Sequence, residues 1–106
     1  MPYFKDITPK PLAPGLDGYY VHGQTMTVGE VHIKAGSALP AHQHPHEQIT
    51  IMLQGEMDMR IGDQEITLKP GMVYVIPSNT LHSANAKTDC VVIDVFHPIR
   101  EDYRPS

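Results

Sequence analysis

Residues 36–48 of the chain read Gly36-Ser-Ala-Leu-Pro-Ala-His42-Gln-His44-Pro-His-Glu-Gln48. Because side chains two apart on a β-strand leave the same face, His42 and His44 are placed to bind one metal ion. Gln48 has the same parity, although Pro45 can bend the chain before it. A His-x-His pair alone is more often two half-buried polar residues than a metal site. The surrounding pattern therefore has to decide between the two interpretations.

A second histidine segment lies downstream, where Gly71 is followed by Pro77 and then by His82. Together the two segments resemble the paired motifs of the cupin family. In the first motif five residues separate a glycine, here Gly36, from the His-x-His pair. A later glycine, here Gly55, ends the segment. In the second motif a glycine, here Gly71, is followed by five residues and a proline, here Pro77. A turn glycine and then a histidine, here His82, come after the proline.

The resemblance covers residues 36–85 and implies both a fold and a ligand set. The implied fold is all-β: a single-domain cupin double-stranded β-helix, or jelly-roll barrel, of six to eight strands. The implied ligands of one divalent metal ion are His42, His44, Gln48 and His82. Three residues depart from the family pattern: Gln48 stands where most cupins have Glu, Asn79 replaces the turn glycine, and Ala86 replaces a terminal Asn.

Gln48 is the informative departure, because a glutamine brings no negative charge to the metal. Three neutral imidazoles and an amide oxygen would leave a bound ion with its full charge of about +2, which attracts anionic oxygen ligands. This favours Lewis-acid over redox chemistry. Mixed nitrogen and oxygen ligation suits Ni, Zn, Mn, Fe or Co, and the sequence does not choose among them.

The rest of the chain alternates short runs of Val, Ile, Thr and Tyr with Gly, Pro and Asn, which is typical of a sandwich or barrel. Hairpin signals stand at Gly62-Asp63 and at Lys69-Pro70-Gly71. No helix is predicted. The expected strands are Tyr19–His22, Met26–Lys34, Gln48–Gln54, Glu56–Ile61, Gln64–Leu68, Val73–Ile76, His82–Asn85 and Val91–Phe96.

The first fourteen residues contain four of the ten prolines and show no periodicity. We therefore expect residues 1–14 to form an extended arm rather than a packed element, and residues 15–106 to form the barrel. The arm, with exposed residues of the outer sheet, would supply the interface of a homodimer.

Composition narrows the function classes. The 106 residues suffice for one domain, and eight Lys and Arg against twelve Asp and Glu give a net charge of −4, without the basic cluster that nucleic acid requires. No segment has the length of a membrane span or signal peptide, so a cytoplasmic protein is expected.

The single cysteine, Cys90, is predicted to be buried as a small apolar side chain. His46 is predicted to be a rim residue beside the ligands.

The C-terminal strand Val91–Phe96 carries a carboxylate, Asp94, in an apolar run. Burying it is unfavourable unless a partner or a function retains it. One interpretation is a salt bridge between Asp94 and Arg100. The other places both residues beside the metal, with Asp94 as general acid/base, Phe96 as a wall and Arg100 as a carboxylate clamp.

This tail, combined with the first histidine segment, is similar to that of the small cupins of the KdgF type from pectin and alginate degradation. Those proteins open unsaturated uronate rings to linear keto acids. The resemblance implies that Asp94, Phe96 and Arg100 are active-site residues and that the substrate is a small anionic sugar acid. Two alternatives remain open: a metal-dependent dioxygenase of the quercetinase kind, and a non-enzymatic module that binds a small molecule.

Overall fold

The computed structural model describes residues 3–104 and contains ten β-strands. Two short 3-10 helices, Phe4–Asp6 and Glu101–Tyr103, lie near its ends. The strands are β1 (Lys10–Ala13), β2 (Leu16–His22), β3 (Thr27–Ile33), β4 (Ala38–His42), β5 (Glu47–Gln54), β6 (Met57–Ile61), β7 (Gln64–Leu68), β8 (Val73–Ile76), β9 (His82–Ala86) and β10 (Cys90–His97).

The strands form two antiparallel sheets that face each other. The larger sheet has the order β1-β2-β3-β10-β5-β8, and the smaller has the order β4-β9-β6-β7. Alternation along each strand sends apolar side chains between the sheets: in β6, for example, Met57, Met59 and Ile61 are buried whereas Asp58 and Arg60 are exposed. The core therefore lies between the two inner faces, as the all-β jelly-roll prediction requires.

The eight predicted strands are present as β2, β3 and β5 to β10, although β2 begins at Leu16, three residues earlier than expected. Two strands, β1 and β4, were not predicted. Each contains a proline, Pro11 or Pro40, and each lies at the edge of its sheet. A proline cannot donate to a neighbouring strand but is tolerated at an edge, so Pro11 is compatible with strand β1 although the prolines of residues 1–14 were interpreted as an unpaired arm.

The predicted arm was wrong for Lys10–Ala13, because this segment pairs with β2 and extends the larger sheet. Met1 and Pro2 of that arm lie outside the described residues, as do Pro105 and Ser106 of the predicted barrel. Between residues 3 and 104 no helix has the length and apolar character needed to cross a membrane.

Two residues show why particular side chains are found at the turns. Asn79, which replaces the turn glycine of the second motif, has a φ of 56°, a left-handed conformation that asparagine tolerates. Gly55 has a φ of 86°, and a Cβ at this position would collide with the backbone carbonyl oxygen of Asp89. Gly55 is therefore required both for its conformation and for close packing between the β5–β6 turn and the start of β10.

We predict that Gly55→Ala destabilises the protein more than Gly71→Ala. Both positions have positive φ, at 86° and 90°, so both substitutions cost about 1 kcal/mol of backbone strain. Only at Gly55 does the new methyl group meet backbone, which should add about 1–3 kcal/mol. Urea denaturation of the two variants measures the difference, and equal losses of stability would contradict this account of Gly55.

Candidate metal centre

Three histidines converge at one end of the barrel. His42 ends β4 and His82 begins β9, and the two lie directly opposite each other in the smaller sheet. His44 follows in the loop before β5. One potential ligand atom from each of the three lies within 4.8 Å of the others. His44 and His82 are buried, whereas His42 is partly exposed towards solvent.

Backbone hydrogen bonds determine which nitrogen of each ring is free. In all three rings Nδ1 contacts a carbonyl oxygen, which can only accept a hydrogen bond, so each Nδ1 must carry the proton. In the neutral ring Nε2 then keeps its lone pair. The three contacts are His42 Nδ1 to Pro40 O at 2.9 Å, His44 Nδ1 to His46 O at 3.0 Å, and His82 Nδ1 to Thr80 O at 2.8 Å.

Two of these lone pairs have no donor between residues 3 and 104. Nε2 of His82 is buried and has no hydrogen-bond partner among the described residues. Nε2 of His44 lies 3.1 Å from Oε1 of Gln48, so with Nδ1 protonated two acceptors face each other across hydrogen-bonding distance. A cation between them would satisfy both atoms. The residues present therefore fit a divalent metal ion held by three histidines and Gln48.

Gln48 is held with its amide oxygen towards the histidines. Its Nε2 donates to Thr50 Oγ1 at 2.9 Å and to Asp94 Oδ1 at 3.2 Å. Because the nitrogen is engaged on that side, Oε1 is directed to the other. The amide of Gln48 thus contacts the histidine group at one end and a carboxylate at the other.

Burial keeps the imidazoles of His44 and His82 neutral. Burial, together with the positive charges of Arg100 and His82, lowers the pKa of His44 to about 4. Burial also lowers the pKa of His82, against the opposing effect of its hydrogen bond to Thr80. At neutral pH both rings are unprotonated at Nε2, which is the state that binds a metal.

Asp94 lies on β10 directly opposite Thr50 of β5, on the inner face of the larger sheet. Thr50 Oγ1 donates to Asp94 Oδ1 at 2.7 Å. Burial raises the pKa of Asp94 to about 6, although the hydrogen bonds from Thr50 and Gln48 and the charge of Arg100 act in the opposite direction. Asp94, Thr50, Gln48 and His82 form the polar side of an interior cavity whose other walls are apolar except for Ser37.

Arg100 pairs with Asp102 and not with Asp94. Its Nε and Nη2 donate to the two carboxylate oxygens of Asp102 at 3.0 and 2.8 Å. The guanidinium carbon also lies 4.7 Å from the ring centre of Phe96 and 3.8 Å from that of Tyr103. The Asp94–Arg100 salt bridge is thus absent among residues 3–104, because the turn after β10 brings Asp102 to Arg100.

This pairing changes what Arg100 can offer a ligand. The Nε–Nη2 edge of the guanidinium, one of its two edges that can grip a carboxylate with two parallel bonds, is already occupied by Asp102. The remaining nitrogen, Nη1, is buried and has no hydrogen-bond partner in the described part of the chain. Arg100 can therefore offer a ligand a donor at Nη1, although its Nε–Nη2 edge is not free.

Comparison with known proteins agrees with this architecture. Residues 29–96 match the cupin domain family. The chain belongs to the cupin family. It is 31% identical over 75 residues to the pectin degradation protein KdgF of Dickeya dadantii, covering 69% of this chain and 68% of that protein. Two solved structures resemble it along almost their whole length. KdgF from a Halomonas species matches with a TM-score of 0.86 and 29% identity over 94% of both chains, and an RmlC-like cupin from Shewanella frigidimarina with 0.90 and 21% over 97% of this chain and 94% of that one.

The predicted cupin fold is thereby confirmed. The structure brings His42, His44 and His82 together and places Gln48 beside them, while Asp94 contacts Gln48. Phe96 is buried, with its ring edge towards His44 at a centroid distance of 5.8 Å. His46 lies outside the group of potential ligands, with Nε2 at 3.2 Å from the carbonyl oxygen of Ile99. Cys90 is buried, as predicted.

Sequence reasoning missed three residues of this cupin site. Thr50 shares the parity of Gln48 on β5, so its inward direction could have been inferred. Asp102 and Tyr103 enclose the guanidinium of Arg100 from the turn that follows it. No local pattern marked them, because their importance depends on where the turn places them.

We predict about one metal ion per chain, lost in His82→Ala and bound more weakly in Gln48→Ala. His82 supplies a buried lone pair that nothing else uses, whereas an amide oxygen is a weaker donor than an imidazole. Elemental analysis of purified protein measures the content, with His32→Ala, an exposed histidine on β3, as control. A His42→Ala/His44→Ala double variant that stays fully loaded with metal would contradict the site.

Proposed function

We propose that this cupin is a metal-dependent enzyme that opens the ring of a 4,5-unsaturated uronate to give a linear keto acid. The observation that carries the proposal is the contact of Gln48 with both the histidine group and Asp94. It puts a carboxyl group directly beside the donors that could hold a metal. The likeness to KdgF of Halomonas, which extends over 94% of both chains, supports the same reaction class.

The ring opening is an isomerisation and needs no co-reactant. A proton leaves the hydroxyl group at C1, the bond between C1 and the ring oxygen breaks, and its electron pair stays on that oxygen as an enolate at C5. A proton delivered to C4 then converts the enolate to the ketone. One proton is removed and one is returned, so a single carboxyl group can serve as both base and acid. Asp94, whose Oδ1 is held by Thr50 and Gln48, is the residue assigned to this task.

The other residues provide binding and shape. A divalent ion held by His42, His44, His82 and Gln48 would supply Lewis-acid polarisation of a substrate oxygen. Because none of these four side chains carries a negative charge, the site favours an anionic substrate. Phe96 forms a buried wall beside His44, and Arg100 contributes its unpartnered Nη1.

The proposal also includes a homodimer. On the outer face of the larger sheet, a row of apolar residues lie directly opposite one another on adjacent strands. The two ends of this row are the exposed valines Val21, at 41% exposure, and Val75, at 49%. A second copy packed on this face would remove that surface from water. Sedimentation analysis of the purified protein tests the dimer, and a monomer at micromolar concentration would contradict it.

We predict that Asp94→Asn reduces turnover by about two to four orders of magnitude. The amide keeps the volume and can still hydrogen-bond, but it cannot exchange a proton at neutral pH. Metal content and melting temperature should change little. The measurement is the loss of ultraviolet absorbance of a 4,5-unsaturated uronate, compared with a reaction without enzyme because the ring also opens spontaneously.

Asp58→Asn is the matched control, because Asp58 also accepts a hydrogen bond from a threonine on the neighbouring strand, Thr67, but lies on the outer face. It should keep wild-type turnover. If Asp94→Asn loses stability first and keeps its activity, Asp94 is a structural residue. Metal-loaded wild-type protein that gives no acceleration over the spontaneous reaction would defeat the uronate assignment, and oxygen uptake with an aromatic diol would then favour a dioxygenase.

A further inference from the structure

A second cavity lies at the mouth of the barrel, outside the group of polar residues around Asp94. Strands β1 and β4 and the turn after β10 enclose it. His42 is the one candidate metal ligand that lines this cavity, which therefore lies beside the candidate metal centre. Its apolar surface includes Leu12 and Leu39, and its two cationic side chains are Lys10 and Arg100.

Strand pairing directs Lys10 towards this mouth. Lys10 is the first residue of β1 and lies directly opposite Gly18 of β2. Residues opposed in this way project to the same side of a sheet, and Gly18 shares its face with the buried residues Leu16 and Tyr20. Lys10 is therefore on the inner side, and it is partly buried.

Glycines on β2 and β3 leave room for an aromatic ring to lie against the backbone of the larger sheet. A Cβ at either Gly18 or Gly29 would collide with the ring of Tyr20, so that ring lies flat across both residues. Tyr103 packs on Tyr20 with a centroid distance of 4.6 Å, and the guanidinium of Arg100 lies over Tyr103. These rings hold Arg100 in place without adding charge.

The charges at the mouth are unequal. Asp102 pairs with Arg100 through both oxygens and so neutralises it, and the same contact lowers the pKa of Asp102. Lys10 forms no salt bridge with any residue between 3 and 104. Lys10 therefore supplies the uncompensated positive charge of a cavity that lies beside the candidate metal centre.

We propose that Lys10 binds the carboxylate of the substrate at the barrel mouth, with Nη1 of Arg100 as a second donor. This inference rests on the proposed function for its substrate class and adds the residue that selects a charged over an uncharged sugar. Lys10 would act on binding and not on proton transfer, because it lies at the mouth while Asp94 lines the interior cavity.

The test is the binding of galacturonate, a saturated uronate that needs no turnover, to metal-loaded protein by titration calorimetry. Lys10→Met keeps the aliphatic stem and removes the charge, and it should weaken galacturonate binding by about fivefold to twentyfold. The uncharged methyl ester of galacturonate should bind the wild type and Lys10→Met equally. Lys5→Met, at an exposed lysine of the first 3-10 helix, is the control and should match the wild type with both ligands.

The turnover assay separates this inference from the proposed function. With an unsaturated uronate, Lys10→Met should raise KM by a similar factor and leave kcat within about twofold. Galacturonate binding that depends on Lys10 in a protein without turnover would support the carboxylate site and reject the reaction. Equal affinity of the wild type and Lys10→Met for galacturonate, or equal loss of affinity for the methyl ester, would overturn the role of Lys10.

Discussion

The site depends on three hydrogen bonds between imidazole Nδ1 atoms and backbone carbonyl oxygens. Each bond places the proton of its ring on the far side from the centre, so three Nε2 lone pairs face inwards. The acceptors at Pro40, His46 and Thr80 are all two residues from their histidines. Because they are backbone atoms, the rings keep this orientation as long as the β4–β9 pairing and the loop before β5 are intact.

Gln48 has a second consequence beyond its neutral charge. Its nitrogen donates to Asp94, which a glutamate at this position could not do. A glutamate would instead bring a second carboxylate to about the same place, 3.2 Å from Oδ1 of Asp94. Two carboxylates at that distance do not both ionise readily. The glutamine therefore allows an ionisable carboxyl group to lie directly behind the candidate metal ligands, with Oδ1 accepting hydrogen bonds from Gln48 and Thr50.

The two cationic side chains at the mouth of the barrel differ in whether a carboxylate compensates their charge. Arg100 lies against the rings of both Phe96 and Tyr103 and is neutralised by Asp102, so its contribution to the field is reduced and its position is held. Lys10 has no such partner among the described residues. Strand β1, which carries it, therefore does more than extend a sheet edge: it completes the cavity beside His42.

The sequence by itself determined the cupin fold, the eight strands with clear alternation, and the positions of His42, His44, Gln48 and His82. The strands follow from periodicity, which is a local property of the chain, whereas the fold and the ligand set are what the resemblance of the two histidine segments to the cupin motifs implies. Only the tertiary structure decided that Lys10–Ala13 joins the larger sheet and that Arg100 pairs with Asp102 instead of Asp94. Only it showed that Thr50 donates to Asp94. The reason is physical: the partner of a charged or hydrogen-bonding group is set by the relative position of strands that are far apart in sequence. Thr50 and Asp94, 44 residues apart, meet only because β5 and β10 are neighbours in one sheet.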